Sequence, residues 1–381
     1  MSDSVLPGAS APGAAPLVGS IVRDSPDLAF VRDALLAAER VVIASHTRPD
    51  GDALGSAIAV ARWLRALGKD ARVLNADPPP HNLDWLAEQQ PEGLLGVFER
   101  GRLEHAEAVA HADVLLTVDT NTRKRLGAVG DVFFQATQPR LLLDHHPDPE
   151  PWFDRACVRA DAAATGEIVY DLIAGHDPAG IDRDVATALY VAIMTDTGSF
   201  RYGATTPRTH AIVADVLARG DLRPEPIHIA LFDGRSMAGL RLLARAIDTI
   251  ALHHGGRLAT MHVTQAMLEE SGALFDESEG LIGYALSLDG VQAAVIFLET
   301  ATAVKLSFRS KGDCPINAWA ARFGGGGHAN ASGAYVPGKP LRRVMREVIA
   351  AAPEHIAGPA EGGGDLSAED LRLLASFQGK V

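Results

Sequence analysis

The sequence predicts an α/β protein of two domains, a first built on a parallel sheet and a smaller second α/β unit, joined by a helical linker. Three observations lead there. At 381 residues the chain is long enough for two cores of ordinary size. Through the first half, short apolar runs alternate with amphipathic stretches, the pattern of parallel strands with crossover helices. That pattern breaks at Gly220, Pro224 and Pro226, and a second α/β pattern begins at Leu258. The expected organisation is a disordered tail over 1–25, a first domain over 26–220 and a linker over 221–257. A second domain over 258–350 and a C-terminal tail with a short helix over 351–381 complete it.

Each element has a local cause. Residues Met1 to Ser20 are rich in Ala, Pro, Gly and Ser, a composition that buries too little apolar surface to order a chain. Val41 to His46 is a short, β-branched apolar run and reads as a buried strand. From Asp52 the spacing changes: Leu54, Ala57, Ile58, Ala61, Leu64 and Leu67 recur at helical intervals, and Gly68 stops the helix. Ala71 to Ala76 reads as a second strand, closed by Asp77 and three prolines. Asp113 to Asp119 and Arg140 to Asp144 are two more, each ending in a carboxylate. Helical patterns follow at Gly166 to Ala174 and Arg183 to Thr195, then a linker helix from Met237 to Leu252 and the run His253-His254-Gly255-Gly256. In the second domain, strands are expected at Leu258–Val263, Val291–Glu299 and Val304–Arg309. A Gly/Pro-rich spacer from Pro359 to Gly364 leads to a terminal helix opened by Ser367, with Asp370 three residues on.

Composition narrows the function. An apolar content of 47% with 22% charged residues describes a soluble globular chain, and no run of eighteen apolar residues offers a membrane span. The N-terminus lacks the basic and apolar regions of a secretory signal. Cys157 and Cys314 are the only cysteines, too few for a disulfide framework or a thiolate zinc site, and a cytoplasmic location fits. A net charge of −13 argues against coating long duplex nucleic acid, which calls for a broad basic surface. It is compatible with a small phosphorylated substrate, because bound cations can turn an acidic pocket into an anion site.

The residues that carry chemistry lie in five segments. His46, Asp119 and Asp144 each fall at the carboxyl end of a predicted strand, the edge where open parallel sheets bind ligands. His46, Asp50 and Asp52 lie on one strand-to-helix turn, where they can offer a nitrogen and oxygens to two adjacent cations. The plainer reading is a helix cap at Asp52 and a turn residue at Asp50. Asp144-His145-His146 follows a strand, with the Asp placed to orient an imidazole. Asp196 closes a helix at its C-terminus, where the dipole disfavours a carboxylate, so capping does not explain it. Gly324 to Gly327, followed by His328, would let backbone amides approach an anion, with Arg309 and Ser310 ending a preceding strand; a flexible linker is the alternative.

Taken in order, these segments resemble the DHH family of phosphoesterases with a C-terminal DHHA1 domain, over about Val41 to Tyr335. The triplet Asp144-His145-His146 gives that family its name. The resemblance implies a catalytic domain over 26–220 and a substrate-binding domain over 258–350. It implies two divalent metal ions, Mn²⁺ first and Mg²⁺ as the alternative, which suits carboxylate and imidazole donors without Cys. By the same resemblance one ion would be held by His46, Asp50 and Asp119 and the other by Asp52, His145 and Asp196, with Asp119 shared between them. Two such ions, roughly 3.5–4 Å apart, activate a bridging hydroxide without a covalent intermediate. Catalysis then falls to Asp119, to His146 at the scissile phosphate, and to Asp144 behind the histidines. Substrate contacts are expected from Arg201, Arg208, Arg309, Ser310, Gly325, Gly326, Gly327 and His328; Ala329 stands where relatives often carry a basic residue.

The domain pairing and length are similar to the stand-alone members of the family. The basic Ser-Arg-Lys-Lys-Gln type segment of the pyrophosphatase branch is missing. The implied activity is hydrolysis of phosphoester bonds in very short oligonucleotides, nanoRNA or pApA, to 5′-mononucleotides, together with removal of the 3′-phosphate of pAp. Cyclic di-AMP phosphodiesterase is the alternative within the family, and a non-catalytic nucleotide sensor the alternative outside it. The implied partners are short oligonucleotides or a nucleotide bisphosphate, without membrane or long duplex, and the resemblance is compatible with a homodimer.

Overall fold

The computed structural model describes residues 21–356. The tail expected over 1–25 therefore lies, up to residue 20, outside the described residues, and so does the helix expected at Ser367. The chain divides into two compact units, one ending at Gly234 and the other beginning at Arg235.

The first unit runs α1 (Pro26–Ala37), β1 (Arg40–Ala44), α2 (Gly51–Ala66), β2 (Asp70–Asn75), α3 (Asp84–Glu88), β3 (Leu95–Val97), α4 (Leu103–Ala110), β4 (Val114–Val118), α5 (Ala128–Gln135) and β5 (Arg140–Asp144). It continues with β6 (Arg155–Val158), α6 (Thr165–Ala174), α7 (Arg183–Asp196), α8 (Pro207–Gly220) and α9 (Pro224–Phe232). Its sheet has the order β3-β2-β1-β4-β5-β6 and is parallel throughout. The strands are apolar on both faces because helices cover both. Val41 and Ile43 of β1 join the core beneath α2, α6 and α7, while Val42 and Ala44 join a second core with Phe98, Leu126 and Phe133. Strand order reverses between β1 and β4. That switch point opens a crevice beyond the carboxyl ends of the two strands, where His46 and Asp119 emerge.

Helices α2 and α7 pack unusually close, and glycine is the reason. A Cβ at Gly55 would collide with the Ala188 carbonyl oxygen, and one at Gly51 with the Thr195 hydroxyl. Small residues there let the first turn of α2 meet the last turn of α7, so Asp50, Asp52 and Asp196 arrive at one place.

The second unit runs α10 (Met237–Ile247), β7 (Ala251–His253), β8 (Leu258–Val263), α11 (Gln265–Ser271), α12 (Ile282–Leu286), β9 (Ala293–Glu299) and β10 (Ala303–Ser310). It ends with α13 (Asn317–Ala321), β11 (Gly326–His328), β12 (Ala331–Pro337) and α14 (Leu341–Ala351). Its sheet, β11-β12-β10-β9-β8-β7, is antiparallel except between β8 and β9. Two elements differ from the sequence expectation. The helix expected to reach Leu252 stops at Ile247, and Ala251–His253 pairs with β8 instead, because that edge offers free backbone partners. The four-glycine run is not a free loop: Gly326–His328 is an edge strand on β12. A side chain at Gly325 would strike the Gly333 carbonyl, and Gly327 sits at φ +139 with a Cβ position 2.6 Å from the Ala331 carbonyl oxygen. Close strand pairing demands these glycines.

Candidate metal centre

Strand β1 delivers His46. Just before it, Ser45 N–H donates to Asn75 Oδ1 (2.8 Å), tying the end of β1 to β2. His46 Nδ1 lies 2.9 Å from the Thr47 carbonyl, so it carries the proton and turns Nε2 inward. Nε2 is buried and lacks a hydrogen-bond partner among the described residues. It stands 3.4 Å from Asp119 Oδ2 and 3.6 Å from Asp50 Oδ2. A buried imidazole nitrogen that faces two carboxylates without a well-formed hydrogen bond to either is the geometry of a ligand set.

The helix cap belongs to Asp50, not Asp52. Asp50 Oδ1 accepts from Asp52 N–H and Ala53 N–H (3.1 Å each), leaving Oδ2 toward His46. Asp52 lies in the first turn of α2, but its carboxylate faces the start of α6. There it accepts from Thr165 N–H (2.7 Å) and Gly166 N–H (2.9 Å), and from Ser56 Oγ (3.1 Å). These donors orient the carboxylate and support its charge.

Asp119 joins the two halves. It follows β4 directly and takes φ +57, a left-handed conformation that Asp tolerates better than most residues. Its Oδ2 faces His46, while Oδ1 accepts from Thr165 Oγ1 (3.0 Å) and stands 3.6 Å from His145 Nε2. His145 Nδ1 lies 3.2 Å from the Ala162 carbonyl, which aims Nε2 at Asp119, Asp52 (3.9 Å) and Asp196 (3.4 Å). The donor atoms of His46, Asp50 and Asp119 lie within 4.8 Å of one another, and so do those of Asp52, His145 and Asp196. Asp119, His145 and His146 form a third group between them. Two adjoining sets, each of imidazole and carboxylate without thiolate, fit hard divalent cations.

Charge at the site points the same way. Burial opposes charge on His46, but the Asp50 and Asp119 carboxylates beside it outweigh burial and push its pKa up to about 10. Burial, joined by the Asp119 and Asp196 carboxylates, drives the Asp52 carboxyl well above its ordinary value. Burial would raise Asp119 too, yet His46, His145 and His146 hold it well below the usual carboxylate range. Without cations the site thus favours a proton on His46, which a divalent ion would displace.

The remaining candidates fall on both sides. Asp144 Oδ1 accepts from the His146 backbone N–H (3.0 Å) and from Nδ1 (2.8 Å), and so fixes the ring. Arg201, in the segment after α7, lies over the Tyr202 ring at 5.6 Å. Arg208 does not face this centre. It donates to Glu167 Oε2 (2.8 Å), to both Asp171 oxygens (2.6 Å each) and to the Ile21 carbonyl. The expectation of a substrate contact is corrected here: two buried acids on α6 occupy this guanidinium. In the second unit, Arg309 of β10 and His328 of β11 are both in register with Ala331 of β12. Arg309 Nη1 donates to the Phe308 carbonyl, and Ser310 Oγ donates to the Cys314 carbonyl (2.5 Å) while accepting from Asn330.

Sequence reasoning missed Thr165, Asn75 and Arg125, whose Nη1 lies 3.4 Å from His146 Nε2. Only for Thr165 was there a signal, a hydroxyl residue opening a predicted helix.

Comparison with known proteins follows the same lines. The model of the DHH family, N-terminal domain, matches residues 40–193, and that of the DHHA1 domain matches residues 260–356. The chain is 31% identical over 324 residues to the bifunctional oligoribonuclease and PAP phosphatase NrnA of Thermus thermophilus, covering 83% of this chain and 90% of that protein. It is 25% identical over 321 residues to the protein of the same name from Bacillus subtilis, covering 83% and 96%. Among solved structures, an exopolyphosphatase-related protein from Bacteroides fragilis superposes with a TM-score of 0.79 at 26% identity, covering 85% of this chain and 95% of the other.

Proposed function

This chain belongs to the DHH family, with a DHHA1 domain after its DHH domain, and from that premise we propose that it hydrolyses short oligonucleotides such as pApA to 5′-mononucleotides. It is a phosphoesterase, hence a hydrolase. The proposal extends to the 3′-phosphate of pAp, to two divalent cations with Mn²⁺ preferred, and to work in the cytoplasm. No helix among the described residues is long and apolar enough to cross a membrane. The first unit is proposed as the catalytic domain and the second as the substrate-binding domain.

The observation that carries this reading is the pair of His/Asp sets meeting at Asp119. When bound there, a pair of cations supplies Lewis-acid activation of water and stabilises the entering and leaving oxygens. The chain's own residues do the rest. Thr47 and Ala162 carbonyls fix the His46 and His145 tautomers, and the amides of α6 orient Asp52. Asp144 holds the His146 Nδ1 proton, so Nε2 is the face offered to the scissile phosphate or to a proton in transfer. Arg201 is proposed as a phosphate contact in the first unit. In the second, Arg309, Ser310 and Gly325 to His328 are proposed to hold nucleotide. A net charge of −13 confines anion binding to such local sites, which supports short substrates.

The test is turnover of pApA, pAp, cyclic di-AMP and inorganic pyrophosphate with Mn²⁺ and with chelator. Hydrolysis of pApA and pAp with Mn²⁺ alone is expected. A faster rate on cyclic di-AMP would move the protein to the alternative within the family. Binding without turnover would make it a sensor. Mn²⁺-dependent turnover surviving in Asp119→Ala would sink the two-ion reading. Arg309→Ala is expected to raise KM and leave kcat in place.

A further inference from the structure

We infer that Arg125 is a phosphate-binding residue of this site, one that grips a non-bridging oxygen of the phosphate under attack beside His146. The inference rests on the phosphoesterase reading and deepens it.

Arg125 lies on the turn Arg123–Leu126 that follows β4. The turn is clamped to the segment carrying His46. Thr47 N–H donates to the Arg125 carbonyl (2.6 Å), and a Cβ at Gly127, where φ is +60, would stand 2.6 Å from Thr47 Cγ2. The side chain is half-buried, and its Nη1 approaches His146 Nε2 at 3.4 Å. Asp144 accepts from the other nitrogen of that ring, so Nε2 offers a lone pair and Arg125 is its donor. No carboxylate lies within ion-pair distance of Arg125 among the described residues, although Asp119 and Asp144 are both close to His146. Its neighbour Arg123 is already committed, to Asp131 at 2.8 Å and to the Phe134 ring at 4.2 Å.

A guanidinium has five donors in a planar fork that matches phosphate oxygens, and the His146 contact uses one of them. A half-buried arginine with no acid to pair lies beside a cluster of acids and faces the imidazole instead. It is therefore poised for an anion that arrives with the substrate. Arg208 cannot take that part, since Glu167 and Asp171 hold it. Arg125 also differs from a distant charge that merely steers the substrate, because it is anchored through its backbone to the turn that carries a candidate ligand.

Calorimetric titration of the Mn²⁺-loaded protein with inorganic phosphate tests this, using Arg125→Ala, Arg125→Lys and Lys124→Ala. Lys124 is exposed on the same turn and controls for simple loss of charge. Arg125→Ala should keep its Mn²⁺ stoichiometry and weaken phosphate at least about tenfold, with a matching rise in KM for pAp. Arg125→Lys should fall between, having the charge without the fork, and Lys124→Ala should match wild type. Equal phosphate affinity in wild type and Arg125→Ala overturns the inference, as does no phosphate binding by loaded wild-type protein. Should Arg125→Ala fail to fold, wild-type affinity in Arg125→Lys would overturn the fork. The phosphate titration needs no substrate, so failure to hydrolyse any nucleotide sinks the substrate proposal separately.

Discussion

Replacing Thr165 by Val removes one hydroxyl at nearly constant shape, from a residue that is fully buried. The Thr165 backbone N–H keeps its 2.7 Å bond to Asp52, so only the 3.0 Å bond from Oγ1 to Asp119 Oδ1 is lost. A hydrogen bond to a charged acceptor contributes about 1.5–3 kcal/mol, and Asp119 is too buried for water to replace it fully. Loss of a group that orients a metal ligand typically weakens metal binding about 10–100-fold. At about 1.4 kcal/mol per tenfold, the two figures agree. Thr165→Val should therefore melt earlier and bind Mn²⁺ about 10–100-fold more weakly in a competition titration against a fluorescent chelator. Thr165→Ser keeps the hydroxyl and should stay close to wild type. If Thr165→Val bound Mn²⁺ with unchanged affinity, Asp119 would not depend on this hydroxyl for its aim, and the contribution of α6 would reduce to the backbone N–H groups it gives Asp52.

Three other outcomes follow from the same geometry. Gly55→Ala places a methyl against the Ala188 carbonyl oxygen and 3.1 Å from Ala192 Cβ. It should cost about 1–3 kcal/mol in thermal or urea unfolding and weaken Mn²⁺ binding as α2 and α7 part; unchanged stability would show that the helices have slack. Arg208→Ala leaves the Glu167 carboxylate, 3% exposed, without its guanidinium, while Asp171, 0% exposed, keeps Arg159 and the Arg23 N–H. Its cost of about 3–5 kcal/mol should appear in the melting temperature, with KM of the folded enzyme unaltered; a KM effect without destabilisation would restore the substrate role. The His46 pKa of about 10 lies above its unfolded value near 6.5. That group's stabilisation is complete below about pH 6.5 and is lost as pH climbs through about 10. The chelator-treated protein should lose melting temperature across that window. The Mn²⁺-loaded protein should not lose this contribution, and binding Mn²⁺ near pH 8 should release protons, read as a buffer-dependent heat. A heat independent of buffer would count against a protonated His46.

What the sequence by itself determined was whatever depends on near neighbours in the chain. The run Arg140–Asp144 is apolar and short enough to be a strand, and that strand has the same limits in the structure. Strands ending at or just before His46, Asp119 and Asp144 follow from the same local logic, as does the helix from Arg183, which runs one residue past its expected end to Asp196. The resemblance to a phosphoesterase family rested on those motifs in order, and the family matches agree with it.

Tertiary structure alone decided how the side chains divide their atoms. Asp52 meets Thr165 across 113 positions of chain, and Asp119 meets it across 46. Such contacts depend on how closely α2, α6 and α7 pack, which in turn depends on volumes at Gly51 and Gly55 that carry no signal in a hydrophobic pattern. The same applies to Arg208, whose surroundings became acidic only when α8 lay against α6. The four-glycine run likewise reads as an anion-binding loop, or else a linker, until β12 lies alongside it. Local sequence dictates dihedral preference and burial period. The assignment of each polar atom to a partner is a long-range outcome of packing, and it is there that the centre acquired Thr165 and Arg125.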